Sequence, residues 1–249
     1  MTCSVVAVDR LTKRFNGVAA LDDVSFGIDR GAFVGLLGPN GAGKTTTLHL
    51  LLGLITATSG TVTLFGESPD RDRESILQRC NFASPYSKLP GRLTAFENLL
   101  VFSQIYGVTS CRERIASLLE MFGIAHLRDR PASRFSSGEA TRLSLCKAFL
   151  NEPELLLLDE PTANLDPEGA LQVRAILTDL HRRLGTTILY SSHNMLEVEA
   201  MCDRLVVLSA GRIVATGTAI EVTRDILQEQ RHEPALDEVL VRIVREVPR

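Results

Sequence analysis

Residues 38–45 read GPNGAGKT and follow directly on the apolar run Ala32–Leu37. A compact apolar run of this kind is typical of a strand buried on both faces of a parallel sheet. The stretch that comes next, KTTTLHLLLGLI, has the length of a helix. A buried strand, a glycine-rich loop and a helix in this order match the pattern G-x-x-x-x-G-K-[ST] and predict a loop that binds phosphate.

Each residue type in this loop has a chemical reason. Glycines let several backbone N–H groups converge on one anion, and the helix that begins at Lys44 adds the positive end of its dipole. Lys44 is expected to reach the β- and γ-phosphates, and the Thr45 hydroxyl is expected to ligate Mg²⁺. The predicted ligand-binding residues of the loop are Gly38, Pro39, Asn40, Gly41, Ala42, Gly43, Lys44, Thr45 and Thr46.

Two acidic side chains stand at the end of a second apolar run. Leu155–Leu158 is followed at once by Asp159 and Glu160. Ligands of open α/β sheets collect at the carboxyl ends of the strands, so we expect both carboxylates near the bound phosphate. Asp159 is predicted to hold Mg²⁺ through a water molecule, and Glu160 to polarise a water molecule toward the γ-phosphorus.

Strands and helices alternate along the rest of the chain. Loosely alternating apolar residues predict short strands over Val5–Gly31 and a hairpin-like stretch over Ser59–Gly66. Thr94 and Glu97 predict a capping box. Helical spacing of apolar residues is found at Ala95–Tyr106, Arg112–Phe122, Thr141–Leu150, Gly169–Leu184, Met195–Cys202 and from Leu236 to Val247. Further strands are predicted at Thr186–Tyr190, Leu205–Leu208 and Arg212–Ala215. This order predicts an α/β core with a helical insertion in the middle.

The composition is that of an ordinary globular protein. The chain has 249 residues, of which 45% are apolar, and 27 basic against 30 acidic side chains give a formal charge of −3. This balance excludes long disordered tracts and argues against nucleic-acid binding through bulk charge. No run approaches the roughly 18 apolar residues of a membrane span, and no signal peptide is predicted. Five irregularly spaced cysteines predict reduced thiols in an intracellular protein and no zinc site.

Three further motifs, in order, resemble those of the nucleotide-binding subunits of ABC transporters. Phe135-Ser136-Ser137-Gly138-Glu139 resembles the LSGGQ signature, and Ala163-Asn164-Leu165-Asp166 resembles the D-loop. Ser192-His193 follows a predicted strand where the family has its switch histidine. The stretch KRFNGVAALDDVSF is similar to the family's opening, with Phe15 in the place of the aromatic residue that stacks on adenine. The resemblance extends from Val6 to about Ala215.

The resemblance implies a fold and an assembly. The fold is a P-loop NTPase, RecA-like core with an N-terminal antiparallel β subdomain and an α-helical subdomain inserted at about 86–150. The ATPase domain would span residues 1–220, and a C-terminal helical tail would span 221–249. Two such chains, expected to be identical, would close head to tail on two ATP molecules with Mg²⁺.

Residue roles carry over from the family motif by motif. Ser136 and Gly138, with Ser137 and Glu139 in the same motif, are expected to contact ATP held by the second subunit. A helix that begins near Gly138 agrees with this expectation, because a helix N-terminus is an anion site. His193 would hold the γ-phosphate or the attacking water within its own subunit. Asp166 would couple the two sites across the dimer.

Two positions depart from the family pattern. Glu139 replaces a glutamine and adds a negative charge near an anionic ligand, which is harmless if the carboxylate faces solvent or the ribose. The family's glutamine that reaches toward Mg²⁺ falls on Ser84 or Pro85, where no amide side chain is present. We therefore predict that metal sensing at this hinge is weakened or rerouted.

The stretch from Ser84 to Thr94 is similar to ATP subunits of ABC-2-type exporters. It implies an ATPase that acts on a separate integral-membrane permease from the cytoplasmic face of the membrane. Tyr86, Leu89 and Phe96 would be exposed anchors for the permease, or would only pack the insertion. Two other functions stay open. One is a soluble ABC ATPase that serves assembly or repair, and the other is a nucleotide switch that does not hydrolyse ATP.

Overall fold

The computed structural model of the protein describes residues 4–84 and 88–246. The chain divides into two compact units. The first unit comprises Met1–Leu77 with Thr187–Arg249, and the second comprises Gln78–Thr186. The expectations that concern Pro85, Tyr86 and Val247 lie outside the described residues.

The secondary-structure elements are labelled in chain order. The strands are β1 (Ser4–Phe15), β2 (Val18–Asp29), β3 (Phe33–Leu37), β4 (Ser59–Leu64), β5 (Cys80–Ala83), β6 (Leu155–Asp159), β7 (Thr187–Ser191), β8 (Arg204–Ser209) and β9 (Arg212–Gly217). The helices are α1 (Lys44–Leu51), α2 (Arg73–Arg79), α3 (Ala95–Ile105), α4 (Cys111–Met121), α5 (Ser137–Ala148), α6 (Pro167–Leu184), α7 (Met195–Met201), α8 (Ala219–Leu227) and α9 (Leu236–Glu246). No helix in the described part of the chain is both long and apolar enough to cross a membrane.

The first unit contains two groups of paired strands. β1 pairs antiparallel with both β2 and β4. In the other group β7, β3 and β8 are parallel neighbours, and β9 joins β8 antiparallel. Asn16 and Gly17, both at positive φ, make the tight turn between β1 and β2 that such a hairpin needs. All five residues of β3 are buried, as expected for a strand with parallel neighbours on both sides.

The second unit combines a parallel pair, β5 and β6, with helices α3 to α6. The predicted capping box opens α3, since Glu97 accepts the Thr94 N–H at 2.8 Å and the Thr94 hydroxyl accepts the Glu97 N–H at 3.1 Å. Asn98, which is fully buried, donates from its amide to the carbonyls of Pro90, Leu93 and Thr94. These bonds fix the segment that leads into α3.

The structure corrects several expected boundaries. Ser59–Leu64 is a strand that adds to the edge of β1, and the expected hairpin-like turn after it is closed by reciprocal backbone hydrogen bonds between Leu64 and Glu67. β1 and β2 are twelve residues long rather than short. α5 begins at Ser137, in agreement with the helix start expected near Gly138, and its capping box lies upstream of the apolar pattern that begins at Thr141. Leu89 and Phe96 are half-buried and not exposed. α2, β5 and α8 were not predicted from the sequence.

The predicted C-terminal amphipathic helix is present as α9. Its apolar stripe of Leu236, Val239 and Ile243 is buried. Arg231 fixes the approach to this helix, since its guanidinium donates two hydrogen bonds to Glu238 at 2.7 and 2.8 Å. α9 is therefore held in place by both apolar packing and an ion pair.

Candidate functional site

The predicted phosphate loop lies between β3 and α1 in the first unit. Gly38, Gly41 and Gly43 have φ angles of 148°, 80° and 106°, a region that side chains rarely tolerate. A Cβ at Gly38 would overlap the carbonyl oxygen of Leu208, and one at Gly43 would lie 2.7 Å from the carbonyl oxygen of Ala20. Both positions therefore require glycine for backbone conformation and for space.

The Lys44 side chain turns back over this loop and is only 7% exposed. Its Nζ donates to the carbonyl of Gly38 at 2.7 Å and to that of Pro39 at 3.2 Å. The ammonium group thus stays at the N-terminus of α1, where the helix dipole and backbone N–H groups also favour an anion. The Thr45 side chain is exposed beside it. A phosphate would meet a preformed positive site.

His193 lies at the same sheet edge as the phosphate loop. β3 and β7 are neighbours, with Leu36 opposite Ser191. Two residues after Leu36, β3 leads into the phosphate loop at Gly38. Two residues after Ser191, the chain that leaves β7 reaches His193. His193 is exposed. The structure therefore brings these two predicted site elements together, as the rule for carboxyl ends of parallel strands expects.

Phe15 ends β1, and its side chain is 46% exposed. The Nζ of Lys13 lies 4.9 Å from the centroid of its ring. The hairpin that carries Phe15 also borders the phosphate loop, since Ala20 and Leu21 are the residues that a Cβ at Gly43 would meet. An accessible aromatic ring therefore stands on the hairpin that touches the loop.

The two predicted acidic residues leave β6 in the second unit. Asp159 is buried, with 4% of its surface exposed, and Glu160 is half-buried. Glu160 has a φ of 48°, which costs a residue other than glycine about 1–3 kcal/mol and is typical of functional sites. Ser84 is buried and lies near Asp159, because β5 and β6 are parallel with Ala83 opposite Leu158.

The signature segment begins α5 in the second unit. The Ser136 hydroxyl accepts the Glu139 N–H at 3.3 Å, and the Glu139 carboxylate accepts the Ser136 N–H at 2.7 Å. Arg130 lies 4.0 Å from the same carboxylate. The Ser136 N–H, with a further contribution from Arg130, lowers the pKa of Glu139 below its ordinary value. The carboxylate is thus held by the helix start, an arrangement that the sequence analysis did not consider.

Signature and D-loop residues meet in one cavity of about 390 Å³. Ser136, Ser137, Gly138 and Glu139 line it together with Asp166. Asp166 also caps α6, since its Oδ1 accepts the Gly169 N–H at 2.8 Å. All the predicted site residues of the second unit other than Asp159 and Glu160 therefore share one cavity.

The cavity also contains residues that the sequence analysis did not single out. Arg142 lies four residues after Gly138, so helical spacing would have placed both on one face of α5. Asn164 belongs to the D-loop segment itself. His126 comes from a 3₁₀ turn, Ala125–Leu127, and no pattern in the sequence indicated its position.

Comparison with known proteins gives the family. The profile described as ABC transporter matches residues 21–163, which is more than half of the 249-residue chain. The chain belongs to the ABC transporter family. As an ATP-binding subunit of that family, it has the predicted α/β P-loop NTPase fold and the predicted ATP-hydrolysing activity, and both predictions are confirmed.

Several ABC proteins are similar over most of their length. The Nod factor export ATP-binding protein I of Burkholderia orbicola is 38% identical over 242 residues, which are 93% of this chain and 79% of that protein. The lipopolysaccharide export system ATP-binding protein LptB of Haemophilus influenzae is 34% identical over 229 residues, 89% of this chain and 94% of that protein. A solved structure of an ATP binding subunit of an ABC transporter covers 96% of this chain and 99% of its own, with 29% identity and a TM-score of 0.88.

We predict that Glu139 stabilises this ABC subunit by capping α5. Glu139→Ala should lower the free energy of unfolding by about 0.5–2 kcal/mol, because the Ser136 N–H loses its acceptor. Glu139→Gln keeps an acceptor oxygen and should cost less. Because the pKa of Glu139 is lowered, the contribution of the carboxylate is complete above the ordinary pKa of a glutamate and is lost as the pH falls through the lowered pKa. Urea unfolding at several pH values measures this, and equal losses in both variants at every pH would contradict it.

Proposed function

We propose that this ABC ATP-binding subunit powers an ABC-2-type exporter, closing as a homodimer on ATP and Mg²⁺ and acting on a separate integral-membrane permease. The observation that carries the proposal is the phosphate loop, where two glycines without room for a Cβ and the Lys44 ammonium form an anion site. Two of the similar proteins are named for export, one of Nod factor and one of lipopolysaccharide.

In the first unit the loop would hold the phosphates of ATP. Lys44 would exchange its carbonyl partners, Gly38 and Pro39, for oxygens of the β- and γ-phosphates. The exposed Thr45 hydroxyl is an oxygen ligand of the kind that Mg²⁺ prefers. Phe15 would stack on adenine, with the Phe15 ring accessible as that role requires.

In the second unit the carboxylates of β6 would supply the rest of the chemistry. Asp159 would help to hold Mg²⁺ through water, and bound Mg²⁺ neutralises charge on the phosphate oxygens. Glu160 would accept a proton from the attacking water while the water oxygen bonds to the γ-phosphorus and the bond to the bridging oxygen breaks.

His193, which belongs to the first unit, would hold the γ-phosphate or the attacking water.

The homodimer would use the N-terminus of α5. Ser136 and Ser137 are exposed there and line the 390 Å³ cavity, so their hydroxyl groups would be accessible to ATP bound by a second copy. Gly138 would allow the close approach of phosphate, and Asp166 would couple the two sites. The capping interaction holds the negatively charged Glu139 carboxylate on the Ser136 N–H, so the other donors of the motif would contact ATP.

At the hinge after β5, Ser84 stands near the position of the family's glutamine. A hydroxyl reaches less far than an amide and offers one donor in place of two. We therefore propose that sensing of Mg²⁺ at this hinge is weakened or rerouted. The buried location of Ser84 beside the end of β6 supports a role inside the unit rather than at its surface.

The permease would bind on residues 84–100, with the subunit peripheral on the cytoplasmic face of the membrane. Lys88 and Leu89 line a cavity of about 530 Å³ in the second unit, with Phe135 from the signature segment on its wall. Phe96 is half-buried under the Arg128 guanidinium, 4.5 Å from the ring centroid. This surface offers a recess with apolar and basic groups, and no nucleic acid is required as a partner.

The exporter proposal is tested with a hydrolysis-deficient chain. Glu160→Gln protein would be purified with MgATP from detergent-solubilised membranes, and its companions would be identified by mass spectrometry. We expect one polytopic membrane protein in fixed stoichiometry, and loss of the ATP-dependent dimer in a Lys44→Ala control. Recovery with soluble proteins alone would overturn the exporter proposal and favour an ABC ATPase that serves assembly or repair.

A further inference from the structure

Within residues 4–84 and 88–246, three helices begin with the same reciprocal pair of hydrogen bonds. In each, a glutamate at the third helical position turns back and accepts the backbone N–H of the N-cap residue, at 2.7–2.8 Å. These carboxylates are exposed or half-buried at the surface. The pairs are Thr94 with Glu97, Ser136 with Glu139 and Thr218 with Glu221.

The helix after His193 has the same spacing but a different arrangement. Asn194 is the N-cap of α7, and its Oδ1 accepts the N–H of Glu197, the third helical residue, at 3.4 Å. The Glu197 carboxylate does not return to the Asn194 N–H. That N–H donates to the Ser192 hydroxyl oxygen at 3.0 Å, and the same hydroxyl makes a long hydrogen bond of 3.5 Å to Glu197.

The carboxylate of Glu197 is turned into the protein, with only 3% of the residue exposed. The Tyr190 hydroxyl donates to the same carboxylate oxygen at 2.8 Å. Tyr190 is fully buried in β7, and its ring centroid lies 6.1 Å from that of Phe33 in β3. Glu197 therefore ties the start of α7 to the two strands that carry the phosphate loop and His193.

Burying a carboxylate costs free energy that a surface cap does not. The three other capping boxes show that starting a helix does not require this burial. What the buried carboxylate adds is a fixed position for Ser192 and Asn194, the residues on either side of His193. The imidazole itself remains exposed. The extra cost thus falls at the loop that carries His193, whose side chain has a proposed task in hydrolysis.

We propose that Glu197 and Ser192 are positioning residues for His193, an inference that rests on the proposed role of His193. By fixing the backbone on both sides of the histidine, they would hold its imidazole ready for the γ-phosphate or the attacking water. Orientation of this kind contributes to the rate without contributing to nucleotide affinity. Tyr190 supports Glu197 from the core of the sheet.

The test is a double-mutant cycle on ATP hydrolysis by the full chain. Ser192→Ala should lower kcat by about 10- to 100-fold, with KM for ATP unchanged within about twofold. In the His193→Ala background the same substitution should change kcat by less than about twofold, because there is no imidazole left to position. Glu197→Gln should also lower kcat when His193 is present and should have little effect in the His193→Ala background. This second variant shows that the result is not specific to the Ser192 substitution.

A matched control separates positioning from general stability. Thr218→Ala removes the cap of α8 in the same unit and should leave kcat unchanged. Effects of Ser192→Ala and His193→Ala that multiply would overturn the positioning proposal while leaving the role of His193 intact. Unchanged kcat in Ser192→Ala, or a fall equal to that of Thr218→Ala, would also overturn it. Full activity of His193→Ala would instead remove the role of His193 and the positioning proposal with it.

Discussion

Replacing Glu160 by glutamine should lower the rate of ATP hydrolysis by about 10²- to 10⁴-fold, the range for loss of a general base. The amide has the size of the carboxylate but accepts no proton from water at neutral pH. Nucleotide affinity should stay within about twofold, because the phosphate-binding groups are untouched. The positive φ of 48° shows that Glu160 holds its place at a conformational cost, as residues selected for chemistry often do.

The measurement is steady-state phosphate release together with equilibrium binding of ATP. Glu168→Gln is a suitable control, because Glu168 is an exposed acidic residue in the first turn of α6 in the same unit. It should keep full activity. Undiminished hydrolysis by Glu160→Gln would refute its assignment as the base and point to another acceptor for the proton.

Lys44→Ala should weaken ATP binding by about 10- to 150-fold, which corresponds to the 1.5–3 kcal/mol typical of a hydrogen bond to a charged group. The ammonium is nearly buried and faces the centre of the loop, so nothing in the loop replaces its charge. The carbonyls of Gly38 and Pro39 would lose a donor, and water can take its place at Pro39, which is half-buried. Stability should therefore change less than affinity.

Calorimetric titration with ATP measures the Lys44 effect, and thermal unfolding without nucleotide checks that the fold persists. Lys88→Ala removes an exposed lysine from the second unit and should leave ATP affinity unchanged. Wild-type affinity in Lys44→Ala would show that the backbone N–H groups suffice. The proposed function depends on this anion site, and the phosphate-binding role assigned to Lys44 would then be wrong.

Much of the fold was predictable because its signals are local. The apolar runs of β3 and β6, the turn at Asn16-Gly17 and the capping box at Thr94 each depend on residues within a few positions of one another. The structure places all of them where the sequence predicted. The pairing of β4 with β1 was missed, because it joins residues more than 45 positions apart and depends on which strand edge is left open.

The site divides in the same way. The phosphate loop was predictable residue by residue. Its glycines are required because a Cβ would not fit, and its lysine is required because the ligand is an anion. The state of Glu139 was not predicted, although the Ser136 N–H that binds its carboxylate lies only three residues away; Arg130 reaches the same carboxylate through the fold of the intervening segment. His126 enters the signature cavity for the same reason.

The sequence by itself determined the phosphate loop, the two acidic residues after β6, the family and the capping box that starts α3. These features need only backbone geometry and contacts over three or four residues. The tertiary structure decided which strand ends lie side by side, which carboxylates cap a helix at the surface, and that Glu197 turns inward to Tyr190. Glu97, Glu139, Glu197 and Glu221 have the same spacing from their N-caps, so local sequence cannot separate them. Only the packing around each carboxylate, which involves residues far apart in the chain, sets its direction.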